Sequence, residues 1–186
     1  MDLAEMREKL KKIILEKSYE EREVILASGR KSNFYFDSKH TTLHPEGSYL
    51  VGKLFFEEIK KLGTPVRGVG GLTIGADPIA TAVSLVSYLE GEPIPAFIVR
   101  KESKDHGISQ WIEGWKNLRK KEPVVVVDDV VTTGKSSLEA AKKVEEAGYK
   151  VEAIIILIDR EEGGRENIES AGYRLRTIFT KSELLG

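Results

Sequence analysis

Cysteine is absent from this 186-residue chain, which removes disulfides, thiolate zinc sites and cysteine nucleophiles from consideration. No apolar run approaches the roughly 20 residues that a membrane-spanning helix needs; the longest lie at 124–127 and 153–158. Positive charge is not in excess either. Lys and Arg total 29 against 30 Asp and Glu, a formal net charge of -1, whereas a general nucleic-acid binder carries a basic surplus. The opening residues, MDLAEMREKLKK, are charged throughout and hold no apolar signal core. No internal repeat, low-complexity segment or interdomain linker is visible. The expectation is a cytoplasmic protein with neither membrane nor nucleic acid as partner. With 40% hydrophobic and 32% charged residues, the chain suits one domain, 1–186, with a substantial core.

Leu3, Met6, Leu10, Ile13 and Ile14 recur at helical spacing, predicting an amphipathic helix over 3–17. VILASGRKSNFYFD (24–37) reads as two short strands around a turn centred on Gly29. Pro45 opens a helix that stops at Gly63. Further strands are predicted at 66–70, 95–100, 123–129, 151–159 and 174–180, with helices at 76–90, 135–147 and near 165–171. The polar stretch 101–122 is long for a connection inside one domain, and such loops are usually functional. Strands alternating with helices, two of them continuous Val/Ile runs, imply an α/β fold with a parallel sheet covered on both faces. Ligands of such sheets bind beyond the carboxyl ends of the strands.

The most informative run is VVVVDDVVTTGKSS (124–137). A buried strand delivers Asp128 and Asp129 to its carboxyl end, and Val130, Val131, Thr132, Thr133 and Gly134 lead through a small-residue turn to a helix starting near Lys135. Backbone N–H groups in such a turn, with the helix dipole, suit a phosphate monoester. Thr132, Thr133 and Ser136 would add hydroxyl donors, and the acids could accept from sugar hydroxyls or hold a metal indirectly. A Walker A loop is excluded because Asp129 stands where its first glycine must be. Paired acids could also be merely solvated or cap a helix. Two apolar residues, paired acids and a TTG turn resemble the signature of type I phosphoribosyltransferases, which bind phosphoribosyl pyrophosphate (PRPP). The resemblance implies that Asp128 and Asp129 hold the ribose hydroxyls while the 130–136 backbone cradles the 5-phosphate.

Arg100, Lys101, Lys104 and His106 fall within seven residues at the head of the long polar stretch. Clustered cations suit a pyrophosphate leaving group, although a basic surface loop would look the same. Their pattern, RKESKDHG with Ile112-Glu113-Gly114 downstream, resembles the catalytic loop of orotate phosphoribosyltransferases. That resemblance implies a lid over about 101–122, a homodimer in which residues 100–106 reach the partner's active site, and Lys104 as the residue that stabilises the departing pyrophosphate.

GVGGLTIGADP (68–78) reads by itself as a tight strand-to-helix turn in which Gly70 and Gly71 let the backbone approach a ligand. The resemblance makes it the pyrophosphate loop, with Thr73-Ile74 where many members carry a lysine. SGRKSNFYFD (28–37) resembles the hood of orotate enzymes, built largely from about 1–40, and places Tyr35 and Phe36 against the base; alternating aromatics in a strand are also ordinary core. Ala27 stands where several members have another lysine. Arg160, past a strand end, offers the planar bidentate donor that a carboxylate such as orotate's requires, and the resemblance assigns orotate to Arg160 and Thr132. A charged turn would hold an exposed arginine too. His40 and His44 match no motif and read as surface or structural.

Together these implications describe a type I phosphoribosyltransferase fold, a central parallel sheet flanked by helices with an N-terminal hood. It would transfer ribose 5-phosphate from PRPP to orotate, giving orotidine 5′-monophosphate and pyrophosphate, with Mg²⁺ held mainly through PRPP. The rivals are a purine phosphoribosyltransferase and a non-catalytic, PRPP-sensing regulator that binds nucleic acid.

Overall fold

The computed structural model describes residues 1–25, 31–102 and 111–186, with backbone alone at 25, 31 and 32. Helix α1 (Leu3–Lys17) starts at a capping box, Asp2 accepting from the Glu5 amide and Glu5 returning the bond. It buries Met6, Leu10, Ile13 and Ile14, while Leu3, expected on the same stripe, is exposed in the first turn. Two nested antiparallel pairs follow: β1 (Tyr19–Glu20), β2 (Val24–Ile25), β3 (Lys31–Ser32) and β4 (Tyr35–Phe36), with β1 on β4 and β2 on β3. A short helix α2 (Lys39–Thr42) leads to α3 (Pro45–Lys60). The latter is capped by His44 Nδ1, which accepts from the Gly47 amide. His44 is therefore structural, and His40 is exposed, 3.8 Å from Asp37.

The remaining elements are β5 (Val69–Leu72), α4 (Ala76–Leu89), β6 (Ala96–Val99), β7 (Ile112–Glu113), a 3₁₀ turn (Trp115–Asn117), β8 (Pro123–Val131), α5 (Lys135–Glu146), β9 (Lys150–Asp159), α6 (Gly164–Ser170), β10 (Leu175–Thr180) and α7 (Lys181–Leu185). One six-stranded sheet runs β10-β9-β8-β5-β6-β7. All its pairings are parallel except β6–β7. The parallel sheet expected from the Val/Ile runs is present, corrected by this antiparallel edge. The long stretch 101–122 thus returns to the sheet at β7 rather than staying polar loop throughout.

Strand residues alternate between faces with a period of two. Val125, Val127, Ile155 and Leu157 join α1, α3 and α4 in one core. Val124, Val126, Ile154 and Ile156 join α5 and α6 in the other. Burial on both faces is why β8 and β9 read as unbroken apolar runs. The chain proceeds outward from β5 to β6 on one side and from β8 to β9 and β10 on the other. The order therefore reverses between β5 and β8, and a crevice opens beyond their carboxyl ends.

Candidate active site

Strand β8 continues to Val131, two residues past the predicted end, because Val130 and Val131 still pair with Ile158 and Asp159. Asp128 is 5% exposed. Its Oδ2 accepts from Ser136 and Ser137 hydroxyls, both at 2.8 Å, and its Oδ1 from the Asp129 amide at 3.0 Å. Burial pushes this carboxyl up to about 7; the neighbouring Asp129 charge adds to the rise and the two serine hydrogen bonds oppose it. Ser136, expected as a phosphate donor, spends its single proton on Asp128. Ser137 escaped the sequence reading because only the fold shows which serine faces back to the strand.

Asp129 Oδ1 accepts from the Val130 amide at 2.8 Å, and Oδ2 from the Ser38 hydroxyl. The turn beyond leaves Thr132 and Thr133 partly exposed and Lys135 exposed. Gly134 takes φ +81, and a Cβ there would stand 2.9 Å from Ile168 Cγ1. This turn therefore needs glycine for both conformation and space. Asn167 Nδ2 donates to the Thr133 carbonyl at 3.0 Å, pinning the turn to α6.

Across the crevice, β5 carries Gly70 and Gly71. A Cβ at Gly70 would lie 2.1 Å from the Phe97 carbonyl oxygen, and one at Gly71 2.0 Å from that of Val127. Crowding by the neighbouring strands is reason enough for glycine at both positions. Gly75 is the glycine that meets the site: a Cβ there would fall 2.6 Å from Asp129 Oδ1. In the same loop Thr73 Oγ1 donates to Asp77 Oδ2 at 2.6 Å, and Ile74 is exposed.

The segment after β4 adds charge beside the acids. Lys39 Nζ lies 2.7 Å from Asp37 Oδ1. That hydrogen bond raises the Lys39 ammonium above its ordinary value, with Asp129 contributing. Burial pushes the Asp37 carboxyl up, but its bonds and charge attraction with Lys39 outweigh this and hold it below the usual carboxylate range.

Of the four expected cations, Lys104 and His106 lie outside the described residues. Arg100 Nη1 contacts Glu113 Oε1 at 2.9 Å, while Lys101 is exposed. Buried Lys143 donates to the carbonyls of Arg100 (3.0 Å) and Lys101 (3.2 Å) and to Glu139 (2.6 Å), and lies 4.1 Å from the centre of the Trp111 ring. A lysine inside an amphipathic helix gave no sign of this from sequence.

The hood aromatics divide differently from expectation. Phe36 is 4% exposed and packs on Tyr19 and Phe34 within the main core, which corrects its expected place against a base. Tyr35 faces the other way, half-buried under the Arg22 guanidinium at 4.9 Å. The ring that reaches the strand end is Phe34, 4.4 Å below the Arg160 guanidinium. Arg160 is 2% exposed rather than a surface residue of a charged turn. Its amide donates to Val131 and its Nε lies 2.9 Å from Glu162 Oε1.

The crevice thus joins an acid pair and a small-residue turn to a flanking glycine loop and a buried guanidinium lying over an aromatic ring. Comparison with known proteins agrees in each direction. A family model described as "Phosphoribosyl transferase domain" matches residues 50–179. The orotate phosphoribosyltransferase of Aquifex aeolicus is 47% identical over 96% of this chain and 97% of its own. Crystal structures of Mycobacterium tuberculosis H37Rv orotate phosphoribosyltransferase are similar throughout. Its complex with Fe(III) dicitrate has a TM-score of 0.83 at 37% identity, covering 97% of this chain and 99% of that one. Its complex with PRPP has 0.78 at 36%, covering 96% and 98%. By these matches the chain belongs to the orotate phosphoribosyltransferase family.

Proposed function

We propose that the protein transfers ribose 5-phosphate from PRPP to orotate, yielding orotidine 5′-monophosphate and pyrophosphate, a step of pyrimidine nucleotide synthesis. The observation that carries the reading is the acid pair at the carboxyl end of β8, facing the glycine loop across the point where strand order reverses. Asp128 and Asp129 accept from the two ribose hydroxyls, and the amides of 130–136 take the 5-phosphate. Ribose C1 gains positive character as the C1–O bond to pyrophosphate breaks, and a ring nitrogen of orotate forms the new bond. Arg100, Lys101, Lys104 and His106 stabilise the leaving diphosphate. Arg160 meets the orotate carboxylate beside Phe34, with Thr132 opposite.

Mg²⁺ suits this site as an ion brought in on the substrate. Among the described residues no group of three or more His, Cys, Asp or Glu gathers to hold one. Bound to the diphosphate, the ion would offset its charge.

The active form in this reading is a cytoplasmic homodimer in which residues 100–106 serve the partner's site. Support comes from exposed Leu43, Tyr49, Ile74, Leu85, Tyr88 and Leu89 on α3, α4 and the loop before each, apolar side chains left bare along one pair of helices. Among the described residues no helix is long and apolar enough to cross a membrane.

Incubation with PRPP, Mg²⁺ and each of orotate, adenine, hypoxanthine and uracil tests the assignment. Turnover with orotate is expected. Turnover with a purine alone would make it a purine enzyme, and salt-sensitive RNA binding without turnover would make it a regulator.

A further inference from the structure

Carboxylates dominate the crevice on the side of the glycine loop. Asp129 stands against Gly75, Asp77 holds Thr73, and Asp37 lies one residue before Ser38, which binds Asp129. Beside them is a cavity of about 420 Å³ lined by Lys39, Thr42, Ile74 and Asp77 among others. Lys39 is the one cation among its described lining residues. Ile74 projects into solvent at 63% exposure and brings no charge. A diphosphate that entered here would meet Asp77 in the wall, with Asp37 and Asp129 close to Lys39, and its approach calls for a compensating cation.

The polar groups of the same wall are incompletely satisfied. Thr42 Oγ1 and Asp77 Oδ1 are buried and have no hydrogen-bond partner among the described residues. Buried polar atoms are almost always paired, and an exception calls for a partner such as water, an ion or a ligand. Lys39 begins the α2 turn that also carries Thr42. A shift of that turn would move the ammonium and the orphaned hydroxyl together. The groups that face Lys39 are Asp37, Asp129 and Tyr35, with His40 near Asp37. Its bond to Asp37 is half-exposed and therefore weak enough to exchange for a stronger anion.

We propose that Lys39 is a substrate-binding residue that exchanges Asp37 for the diphosphate of PRPP, supplying the positive charge that Ala27 and Ile74 do not. The proposal rests on the PRPP reading and deepens it. The bland alternative is a surface lysine whose sole business is its ion pair with Asp37.

Steady-state kinetics on Lys39→Gln and Lys39→Arg separate the two. The charge-assisted contact implies that Lys39→Gln raises KM for PRPP and the inhibition constant of pyrophosphate by about tenfold or more. KM for orotate and Tm should stay near wild type. Lys39→Arg should remain within about threefold, since it keeps the charge. Adding Ile74→Lys to Lys39→Gln should recover PRPP affinity by restoring a cation on the opposite wall. An unchanged KM for PRPP in Lys39→Gln overturns the proposal. So does a parallel loss in both substrates together with Tm, which marks a structural role. A wild-type enzyme inert towards orotate would refute the base assignment alone. Calorimetric binding of Mg²⁺-PRPP to wild type and Lys39→Gln, with no base present, would still decide the role of Lys39.

Discussion

The mouth of the sheet and the hood above it are built on opposite plans. Asp128 and Asp129 ride a nine-residue strand hydrogen-bonded on both sides and buried on both faces. The hood is two pairs of two-residue strands held by a small aromatic cluster of Tyr19, Phe34 and Phe36. The first arrangement is stiff enough to hold two carboxyl groups side by side, the buried Asp128 keeping its proton up to about pH 7 beside the partly buried Asp129. The second has little packing to resist displacement and suits contacts that must form and release each turnover. The difference gives the strand the rigidity that charge placement needs, and in the proposed function it leaves substrate exchange to the hood and the basic stretch after β6.

Several changes would break or sharpen that division. The largest expected effect is on rate: Lys104→Ala should lower kcat by about 10³-fold, the scale of a lost transition-state charge contact. PRPP binding and Tm should be retained, and an unchanged kcat in a stopped assay would remove Lys104 from the mechanism. Next is Ile156→Ala in β9, fully buried between β8 and β10. It should cost about 2–5 kcal/mol of unfolding free energy in urea titrations, with both KM values held in the folded fraction.

The third prediction concerns protons. In the proposed function Asp128 accepts from a sugar hydroxyl best as the carboxylate, so kcat/KM for PRPP should rise with pH along a limb near 7. Asp129→Asn should move that limb to lower pH in whatever activity survives, because the neighbouring charge is gone. Stability runs the other way. The folded value lies above the ordinary carboxylate value of 3.8, so the folded chain binds the extra proton between about pH 4 and 7. The stability that this carboxyl contributes is therefore greatest below that window and is lost as pH rises through it. Relative to Asp128→Asn, wild-type urea midpoints should fall across the window; equal slopes would contradict the burial argument. The smallest effect is expected from Phe34→Ala. Removing the ring under Arg160 should raise KM for orotate about tenfold, a loss of about 1.4 kcal/mol, while Tm moves by only a few degrees.

What could be read from sequence follows the same division. β8, β9 and their helices were legible because burial on both faces leaves continuous Val/Ile runs, and because Gly63 and Gly148 take the left-handed conformation that ends α3 and α5. The place of the acid turn at the end of β8 was legible for the same reason, while the bond from Ser136 to Asp128 was not. β1 was missed because two residues cannot show a period, and α7 because its five residues are held by Arg7 of α1, distant in sequence. Burial of Arg160 was illegible: its apolar cover, Phe34, comes from the other end of the chain. The glycines of β5 were visible, but their cause was not, since crowding by Phe97 and Val127 exists only once the strands pair.

Lys143 carries a last consequence. By gripping the carbonyls of Arg100 and Lys101 and lying on Trp111, one side chain fastens both roots of the basic stretch to α5. The departure and re-entry points of that stretch are thereby set by the scaffold rather than by the stretch itself. A substitution at Lys143 would therefore be felt at both roots of the stretch at once, although Lys143 itself lies on α5.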